Sequence, residues 1–588
     1  MRYELINPIT QDSSLKQIFV NRGINPDDIE HFLNPVDSDI LSPSLLAHMG
    51  EGARMLVSHI VKKDKIFMIV DCDVDGYTSA ALFINYLNAQ FPGYAQNNID
   101  YFLHDGKQHG LIESDIDFIL KNDYKIVVMI DASSNDYELH KQLHDAGVDV
   151  LVLDHHEAPK CSPDACVINN QLCDYPTKSL SGVGIAYKFC SYLDQFLEEK
   201  HANDFLDLVA VGCVSDMMEL LDWETRLLVT RGLAQVRNPY IKGIRERNAY
   251  SIDRAGGLNP FSVSFFIAPY VNATIRVGTQ QEKLILFESM LDYRGNEYIP
   301  STKRGCKGQV ETRVEQACRN CTNLKNKQTK ARDASLDAIK FVIENDNLLE
   351  HKILAIRLPK ELETEETLTG LIANQLASEY QHPILLLNEK YDDDGELVWR
   401  GSGRNYANSE IESLRELVLE SQLVEYAQGH GNAFGISIYD SEFDDFIRWS
   451  DEKLKDFDFS PCYRVDFIFQ GKDFRGQDIL KISELKSQWG QGFPEALIAI
   501  EGINLNKNNI HLLSKDKNPT LKISLDNGVD LLKFRSSEEE YNSLINSDLG
   551  CVNINVVGKC DRNEWNGRIS PQIHIEEYEI VGVKKYYF

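Results

Sequence analysis

Residues 65–76 read KIFMIVDCDVDG: an apolar run that stops at Asp71, Asp73 and Asp75 on alternate positions, followed by Gly76, which lets the backbone turn. A short continuous apolar run bounded by polar residues suits a strand buried on both faces. The pattern recurs in KIVVMI (125–130), which runs into Asp131, and in DVLVL (149–153), which runs into Asp154. Between these runs lie helical patterns such as TSAALFINYLNAQF and YELHKQLHDAG. Strands alternating with helices predict an α/β fold with a doubly wound parallel sheet. In such sheets ligands bind beyond the carboxyl ends of the strands, so the three aspartate stations converge on one crevice. A fourth segment, DLVAVGCVSDMMEL (207–220), places Asp216 in apolar surroundings, where a lone carboxylate needs a partner or a metal.

Outward from this core the texture changes after about residue 240. Residues 308–345 are charged and helical in period with few breakers, as expected of a connecting helix. LLEHKILAIRLP and HPILLLN then read as strands flanking the helix TLTGLIANQLASEY, which predicts a second, smaller α/β domain. Beyond about 455, short strands separated by Gly and Asn turns predict a small β-barrel.

The 588 residues imply several folded units, and 43% apolar with 26% charged residues is the balance of a globular protein rather than a disordered one. No basic, apolar leader or membrane-length apolar run is present, which predicts a cytoplasmic protein without a membrane partner. The twelve cysteines are scattered, and the CxxC of Cys318 and Cys321 lacks a second pair, so reduced core or surface thiols are expected. A net charge of −29 excludes a protein that coats nucleic acid indiscriminately; any such contact must be local.

Carboxylates accompanied by His155 and His156 favour Mn²⁺ or Mg²⁺ over structural zinc. Two such ions about 3.5–4 Å apart would activate a water and stabilise the leaving oxygen in phosphodiester hydrolysis. An EF-hand calcium loop is excluded, because its twelfth position, counted from Asp71, is Leu82 where a bidentate Glu is required.

These residues resemble the DHH phosphoesterase family, and within it the RecJ-type single-strand exonucleases: DCDVDGYTS, Asp131, LDHHEAP and VGCVSDMMEL look like its four motifs. RGSGR (400–404) and GHGNAFG (429–435) look like signatures of the DHH-associated domain, and the C-terminal region, including WGQGFPE and NEWNGR, resembles the family's oligonucleotide-binding (OB) fold. The resemblance implies two Mn²⁺ or Mg²⁺ ions and degradation of single-stranded DNA from its 5′ end, with Asp73, Asp75, Asp131, His155 and Asp216 as metal ligands. Asp71, Asp154 and His156 would support the ligands or contact the scissile phosphate, His156 as general acid or phosphate donor. Ser402 and Arg404, on a glycine-bracketed turn, suit a 5′ phosphate, reinforced by Asn272 and Arg276, and His430 would approach the scissile phosphate. Aromatics on the barrel would stack bases. A single-strand-binding protein is the implied protein partner, and a monomer the plain expectation.

The chain is thus read as an N-terminal lead-in (1–47), a DHH domain (48–260), connecting helices (261–346), a DHH-associated domain (350–446) and an OB-like domain (455–588). It departs from the family pattern at Ala132-Ser133-Ser134, where a small residue and glycine are usual, and at Ile275, Gln428 and Phe434. Two rivals are a phosphodiesterase for short oligonucleotides or small nucleotides, whose relatives lack a barrel, and a catalytically inactive replication scaffold, which should have lost ligands.

Overall fold

The computed structural model describes residues 1–104, 108–392, 394–514, 518–545 and 551–584. The chain divides into two compact units that do not follow its linear order: Asn25–Asn326 with Leu485–Glu495, and Met1–Ile24 with Lys327–Glu484 and Ala496–Phe588. The WGQGFPE stretch thus packs with the DHH-like part of the chain, not with the C-terminal sheet. The 33-residue helix Arg313–Asn345 runs through the division.

The first unit holds a five-stranded, wholly parallel sheet in the order Ile99–Leu103, Ile66–Val70, Ile126–Ile130, Asp149–Asp154, Cys166–Asn169. Every residue of the Ile66–Val70 and Ile126–Ile130 strands is buried. The reason is the period of two: Ile66, Met68, Val70, Val128 and Leu153 pack into one core, and Phe67, Ile69, Val127, Met129 and Val152 into another on the opposite face. The predicted doubly wound sheet is therefore what forms. Its strand order reverses between Ile66–Val70 and Ile126–Ile130, the switch point at which such sheets open a crevice.

In the second unit, strands Leu354–Leu358, Ile384–Tyr391, Leu397–Arg404, Ala433–Tyr439 and Tyr426–His430 form a mixed sheet. The helix Glu366–Tyr380 covers one face and the helix Asp440–Lys453 the other. RGSGR is not a turn, as expected from its glycines, but the end of the strand Leu397–Arg404. Gly401 has no room for a side chain, since a Cβ would sit 1.9 Å from the Leu386 carbonyl oxygen. A seven-stranded sheet built on the long strands Leu497–Asn506, Cys551–Trp565 and Arg568–Lys584 follows, bent by register shifts. The N-terminal strand Arg2–Leu5 pairs in parallel with Cys462–Val465. Among the described residues no helix is long and apolar enough to cross a membrane.

A wholly buried ion pair holds the Leu41 segment within the first unit: Lys188 Nζ meets Glu224 Oε1 at 2.6 Å, and Glu224 also accepts from the Leu41 N–H (2.9 Å) and the Tyr175 hydroxyl (2.7 Å). Removing one partner leaves a buried charge uncompensated, so Glu224→Ala should cost about 3–5 kcal/mol. A shift of the urea-unfolding midpoint too small for 1 kcal/mol would refute this.

Candidate active site

Each acidic station sits where an element ends. Asp71 follows the Ile66–Val70 strand, and Asp73 caps the helix Val74–Gln90, its Oδ1 accepting from Gly76 N–H at 2.9 Å. Asp75 lies in that helix's first turn and is buried. Asp131 follows Ile126–Ile130 with φ +69°, a left-handed conformation that aspartate tolerates better than most residues. Asp154, His155 and His156 leave the Asp149–Asp154 strand. Asp216 does not end a strand; it is the C-cap of the helix Leu206–Ser215.

These elements converge. His155 Nε2 lies 3.2 Å from Asp131 Oδ1 and 3.3 Å from Asp216 Oδ2. Asp75, His155 and Asp216 group within ligand-sharing distance, as do Asp71, Asp73 and Asp131, and Asp131, His155 and His156. Two glycines permit the approach. A Cβ on Gly182 would fall 2.5 Å from Asp131 Oδ1, and one on Gly212 would fall 2.4 Å from Asp75 Oδ1.

The electrostatics follow from this crowding. Burial, reinforced by the neighbouring Asp73 charge, pushes the Asp75 carboxyl up to about 6. Burial and then Asp75 push Asp216 up to about 8, and burial with three neighbouring carboxylates pushes Asp131 well up. Burial likewise raises Asp73, against the Gly76 N–H. Burial and the adjacent His156 drive His155 down to about 4, so it is a neutral imidazole with a free lone pair. His156 Nδ1 bonds Asp154 Oδ1 at 2.8 Å, which lifts His156 to about 9. Burial opposes the Asp154 charge, but His156 and the Ser134 N–H (3.0 Å) hold that carboxyl far below the usual range.

Four inward atoms, Asp75 Oδ2, Asp131 Oδ1, His155 Nε2 and Asp216 Oδ2, are buried and lack hydrogen-bond partners among the described residues. Orphaned buried polar atoms are rare because each costs about 1–3 kcal/mol. Carboxylate oxygens of Asp75, Asp131 and Asp216 gathered around one imidazole nitrogen are the donor types of a divalent cation of the Mn²⁺ or Mg²⁺ kind. The remaining atoms of these ligands are tied down: Asp75 Oδ1 accepts from Ser181 Oγ (3.0 Å) and Val183 N–H (3.2 Å). Ser133, where glycine is usual in the family pattern, takes φ +79° and accepts at Oγ from the Leu111 N–H (3.2 Å), so the loop after Asp131 keeps a left-handed turn without glycine.

Sequence reasoning missed His109. Its Nδ1 bonds Asp71 Oδ2 at 2.6 Å, while Asp71 Oδ1 faces Gly110 N–H at 3.4 Å. The bond to Asp71, then the contact with Cys72, lifts His109 to about 11. The only available signal was a His-Gly pair in a loop at the same sheet edge. Asn272 and Arg276 share one face of the helix Ala268–Val277, with the Arg276 guanidinium within electrostatic reach of Asp73. Ile275, beside it, is buried. An apolar groove of about 350 Å³ opens beside Asp216, lined by Met217, Phe261, Phe265, Trp489 and Pro494.

In the second unit, Arg404 Nη1 donates to the Gly403 carbonyl oxygen (2.7 Å) and Nε is buried without a partner. Ser402 Oγ lies 2.9 Å from Thr369 Oγ1. Gly370 clears space for the guanidinium, since a Cβ there would sit 2.5 Å from Arg404 Nη2. His430 is exposed where the strand Tyr426–His430 ends, and Phe434 packs its ring over Gly403. Cys318 and Cys321 are buried free thiols, Cys321 Sγ accepting from Thr274 Oγ1 at 3.1 Å, as expected of core cysteines.

A switch-point crevice closed by buried carboxylates and a neutral imidazole defines an α/β protein of the metal-dependent hydrolase class. Residues 65–213 match the DHH family, N-terminal domain, and residues 465–577 match the RecJ OB domain. An SPbeta prophage-derived protein of Bacillus subtilis strain 168, described as the single-strand DNA-specific exonuclease YorK, is 35% identical over 100% of this chain and 99% of its own. The RecJ exonuclease of the same organism is 24% identical over 95% of this chain and 67% of its own. The RecJ structure from Thermus thermophilus in complex with Mn²⁺ superposes with a TM-score of 0.70 at 20% identity, covering 99% of this chain and 80% of that one. The chain belongs to the RecJ family of DHH proteins.

Two outcomes follow from the geometry. Gly212→Ala should abolish Mn²⁺ binding measured by calorimetry, because its Cβ would displace Asp75; retained affinity would show that the approach is not required. Asp216, at about 8, and His156, at about 9, are raised above their ordinary values, so their share of folded-state stability is present at low pH and lost as pH rises through those values. Metal-free protein should therefore lose Tm between pH 6.5 and 9. Stabilisation by a fixed Mn²⁺ concentration should grow up to about pH 8, as Asp216 no longer needs to release a proton; a pH-independent increment would contradict the ligand set.

Proposed function

We propose that this chain is a metal-dependent exonuclease that hydrolyses single-stranded DNA from its 5′ end. The carrying observation is the set of four orphaned, convergent donor atoms on Asp75, Asp131, His155 and Asp216, in a chain that matches a single-strand DNA-specific exonuclease end to end. Asp73 joins them as a ligand, for it stands within ligand-sharing distance of Asp131 and offers a second position. Two bound Mn²⁺ or Mg²⁺ ions would supply a nucleophilic water and neutralise the leaving oxygen.

The protein's own groups do the rest. Asp71 and Asp154 position rather than ligate: Asp71 is engaged by His109 and Gly110, and Asp154 by His156 and the Ser134, His155 and His156 N–H groups. His156, cationic at neutral pH and half exposed, is placed to donate to the scissile phosphate or to protonate the departing oxygen. Arg276, Asn272 and the solvent-facing His430 contact the substrate's phosphates. Ser402 and Arg404 hold the 5′ phosphate, which would complete the unpaired Arg404 Nε. The apolar groove beside Asp216 suits base faces, which any sequence presents. An intact ligand set and the RecJ OB match weigh against the inactive scaffold and the small-nucleotide phosphodiesterase respectively.

The deciding assay follows DNA labelled at either end, with Mn²⁺, Mg²⁺ or chelator, beside duplex and RNA controls. Prompt metal-dependent release of the 5′ label from single strands is expected, and Asp131→Ala should abolish it; near-normal hydrolysis by that variant would refute the metal-site assignment. Arg404→Ala should cost about 1.5–3 kcal/mol, roughly ten- to a hundred-fold, on 5′-phosphorylated ends alone. An unchanged end preference would remove Arg404 from that role.

A further inference from the structure

Residues 237–326 are a basic island in an acidic chain: 14 lysines and arginines stand against 8 aspartates and glutamates, a net of +6 where the whole carries −29. The island belongs entirely to the first unit and lies outside both stretches that match the family models. Folding sharpens the imbalance at the surface, because some of the island's arginines consume its acids. Arg313 meets Glu288 at 2.8 Å and Glu297 at 2.6 Å, and Arg319 meets Glu311 at 2.6 Å. Two groups of cations are left over. Lys303, Arg304 and Lys307 are exposed at the tip of the hairpin Tyr298–Pro300 and Val310–Thr312, and Lys242, Arg245 and Arg247 are exposed on the helix Pro239–Arg247. Among the described residues none of these six is in an ion pair. The island's exposed acids outside ion pairs are four, Glu246, Asp253, Asp292 and Glu315.

The two groups flank one helix, Arg313–Asn345, within its part that belongs to the first unit. On one flank a Cβ on Gly243 would sit 2.7 Å from Val314 Cγ1, and Arg247 Nε donates to Thr322 Oγ1 at 2.7 Å. On another, Arg319 Nη2 donates to Thr302 Oγ1 at 3.0 Å. The tip itself is braced, with Cys306 N–H donating to the Lys303 carbonyl (3.1 Å) and Gln309 N–H to that of Cys306 (3.0 Å). Beside the cations stand two tyrosines, Tyr298 at 73% and Tyr250 at 75% exposure, the latter under the Arg254 guanidinium at 5.9 Å. The surface is separate from the metal centre. Asn85 and Asn238 both donate to the Met290 carbonyl (2.9 and 2.8 Å), which ties the start of the helix Pro239–Arg247 and the turn leading to the hairpin to Asn85. On the helix Val74–Gln90 that residue lies ten positions past Asp75, about 15 Å at 1.5 Å per residue.

We propose that this surface is a second binding site for single-stranded nucleic acid, holding one stretch of strand while another occupies the cleavage centre. Cations spread over two elements suit a run of phosphates, and exposed tyrosine faces suit unpaired bases, the combination that binds single strands without reading sequence. An acidic peptide would use the charge and leave the tyrosines idle, and a duplex keeps its base faces stacked inside. By holding the strand between cuts, the site lengthens the run of nucleotides removed in one encounter. Only that consequence rests on the exonuclease reading; the binding does not.

The test uses the metal-free, full-length protein, which binds without cutting. Oligothymidylate carrying 5-iodouracil, irradiated with the wild type, should attach to Tyr298 or Tyr250, read by mass spectrometry; attachment confined to other residues overturns the site without recourse to a variant. Replacing Lys303, Arg304 and Lys307 together by alanine should reduce the salt dependence of oligothymidylate binding, measured by anisotropy as log Kd against log salt, by about 2, from roughly 0.7 per phosphate contact. An unchanged slope and affinity would overturn it too. Tyr298→Ala should weaken binding of oligothymidylate about ten-fold and leave an abasic strand of equal length unaffected. Equal loss on both strands would remove the stacking and overturn the single-strand assignment. So would tighter binding of a duplex, or of polyglutamate of matched charge, that the triple variant loses. With Mn²⁺ and an excess of unlabelled strand as trap, the triple variant should release fewer nucleotides per encounter; runs of equal length overturn the consequence for cutting. Attachment at Tyr298 in a protein that cleaves nothing under any metal would uphold the surface while refuting the exonuclease reading.

Discussion

Like charges crowded at the carboxyl edge of one sheet are what the first unit is organised around. Asp75, Asp131 and Asp216 crowd around a neutral His155, and among the described residues no protein group hydrogen-bonds the oxygens they bury there. Burial and mutual repulsion both oppose their charged forms, as the upward shifts of Asp75, Asp131 and Asp216 express. A divalent cation resolves the repulsion and the missing hydrogen bonds at once. The backbone is shaped to this end: Asp131 and Met217 both take left-handed conformations, and Gly182 and Gly212 bring helices against ligand carboxylates at distances no other residue allows.

Around this point the supporting atoms divide the work between charge and direction. Asp75 is aimed by a hydroxyl and a backbone N–H from the start of the helix Gly182–Leu197, whose N-terminal dipole favours the negative charge. Asp154 works in reverse. It is buried yet strongly acidic, because four donors converge on it, and its fixed negative charge keeps His156 protonated beside a neutral His155. Two adjacent histidines with ring centroids 4.4 Å apart thus carry opposite protonation states, one suited to ligation and one to donation.

Much of this was legible in the residues, for a physical reason: strands buried on both faces must be apolar throughout, so KIFMIV, KIVVMI and DVLVL announce themselves and the aspartates mark where they stop. What stayed hidden depends on distant contacts. RGSGR looked like a turn because glycine usually signals one, but here glycine is demanded by the neighbouring Leu386 carbonyl within a sheet. Residues 485–495 continue the chain of the C-terminal sheet but pack with the first unit, and local patterning carries no record of that. His109 belongs to no periodic segment, and only the pairing of Ile66–Val70 with Ile99–Leu103 brings its loop to Asp71. The same holds for Ser133, whose left-handed backbone substitutes for an expected glycine.

The groove beside Asp216 would give the proposed preference for single strands a physical basis. Its lining is apolar and aromatic, with the Phe261 and Phe265 ring centroids 4.5 Å apart and tilted by 31°, and Trp489 close to Phe493, so what it would gain on binding is the burial of flat apolar faces. A duplex already uses those faces in stacking and pairing, and offering one base to the groove costs it a few kcal/mol per step. An unpaired strand gives up far less. Net charge works in the same direction, because at −29 the chain as a whole offers a rigid polyanion little to hold. On this proposal, specificity for strandedness would need no reading of sequence: apolar walls next to a cation centre would suffice, provided each base can be presented singly to the one and its phosphate to the other.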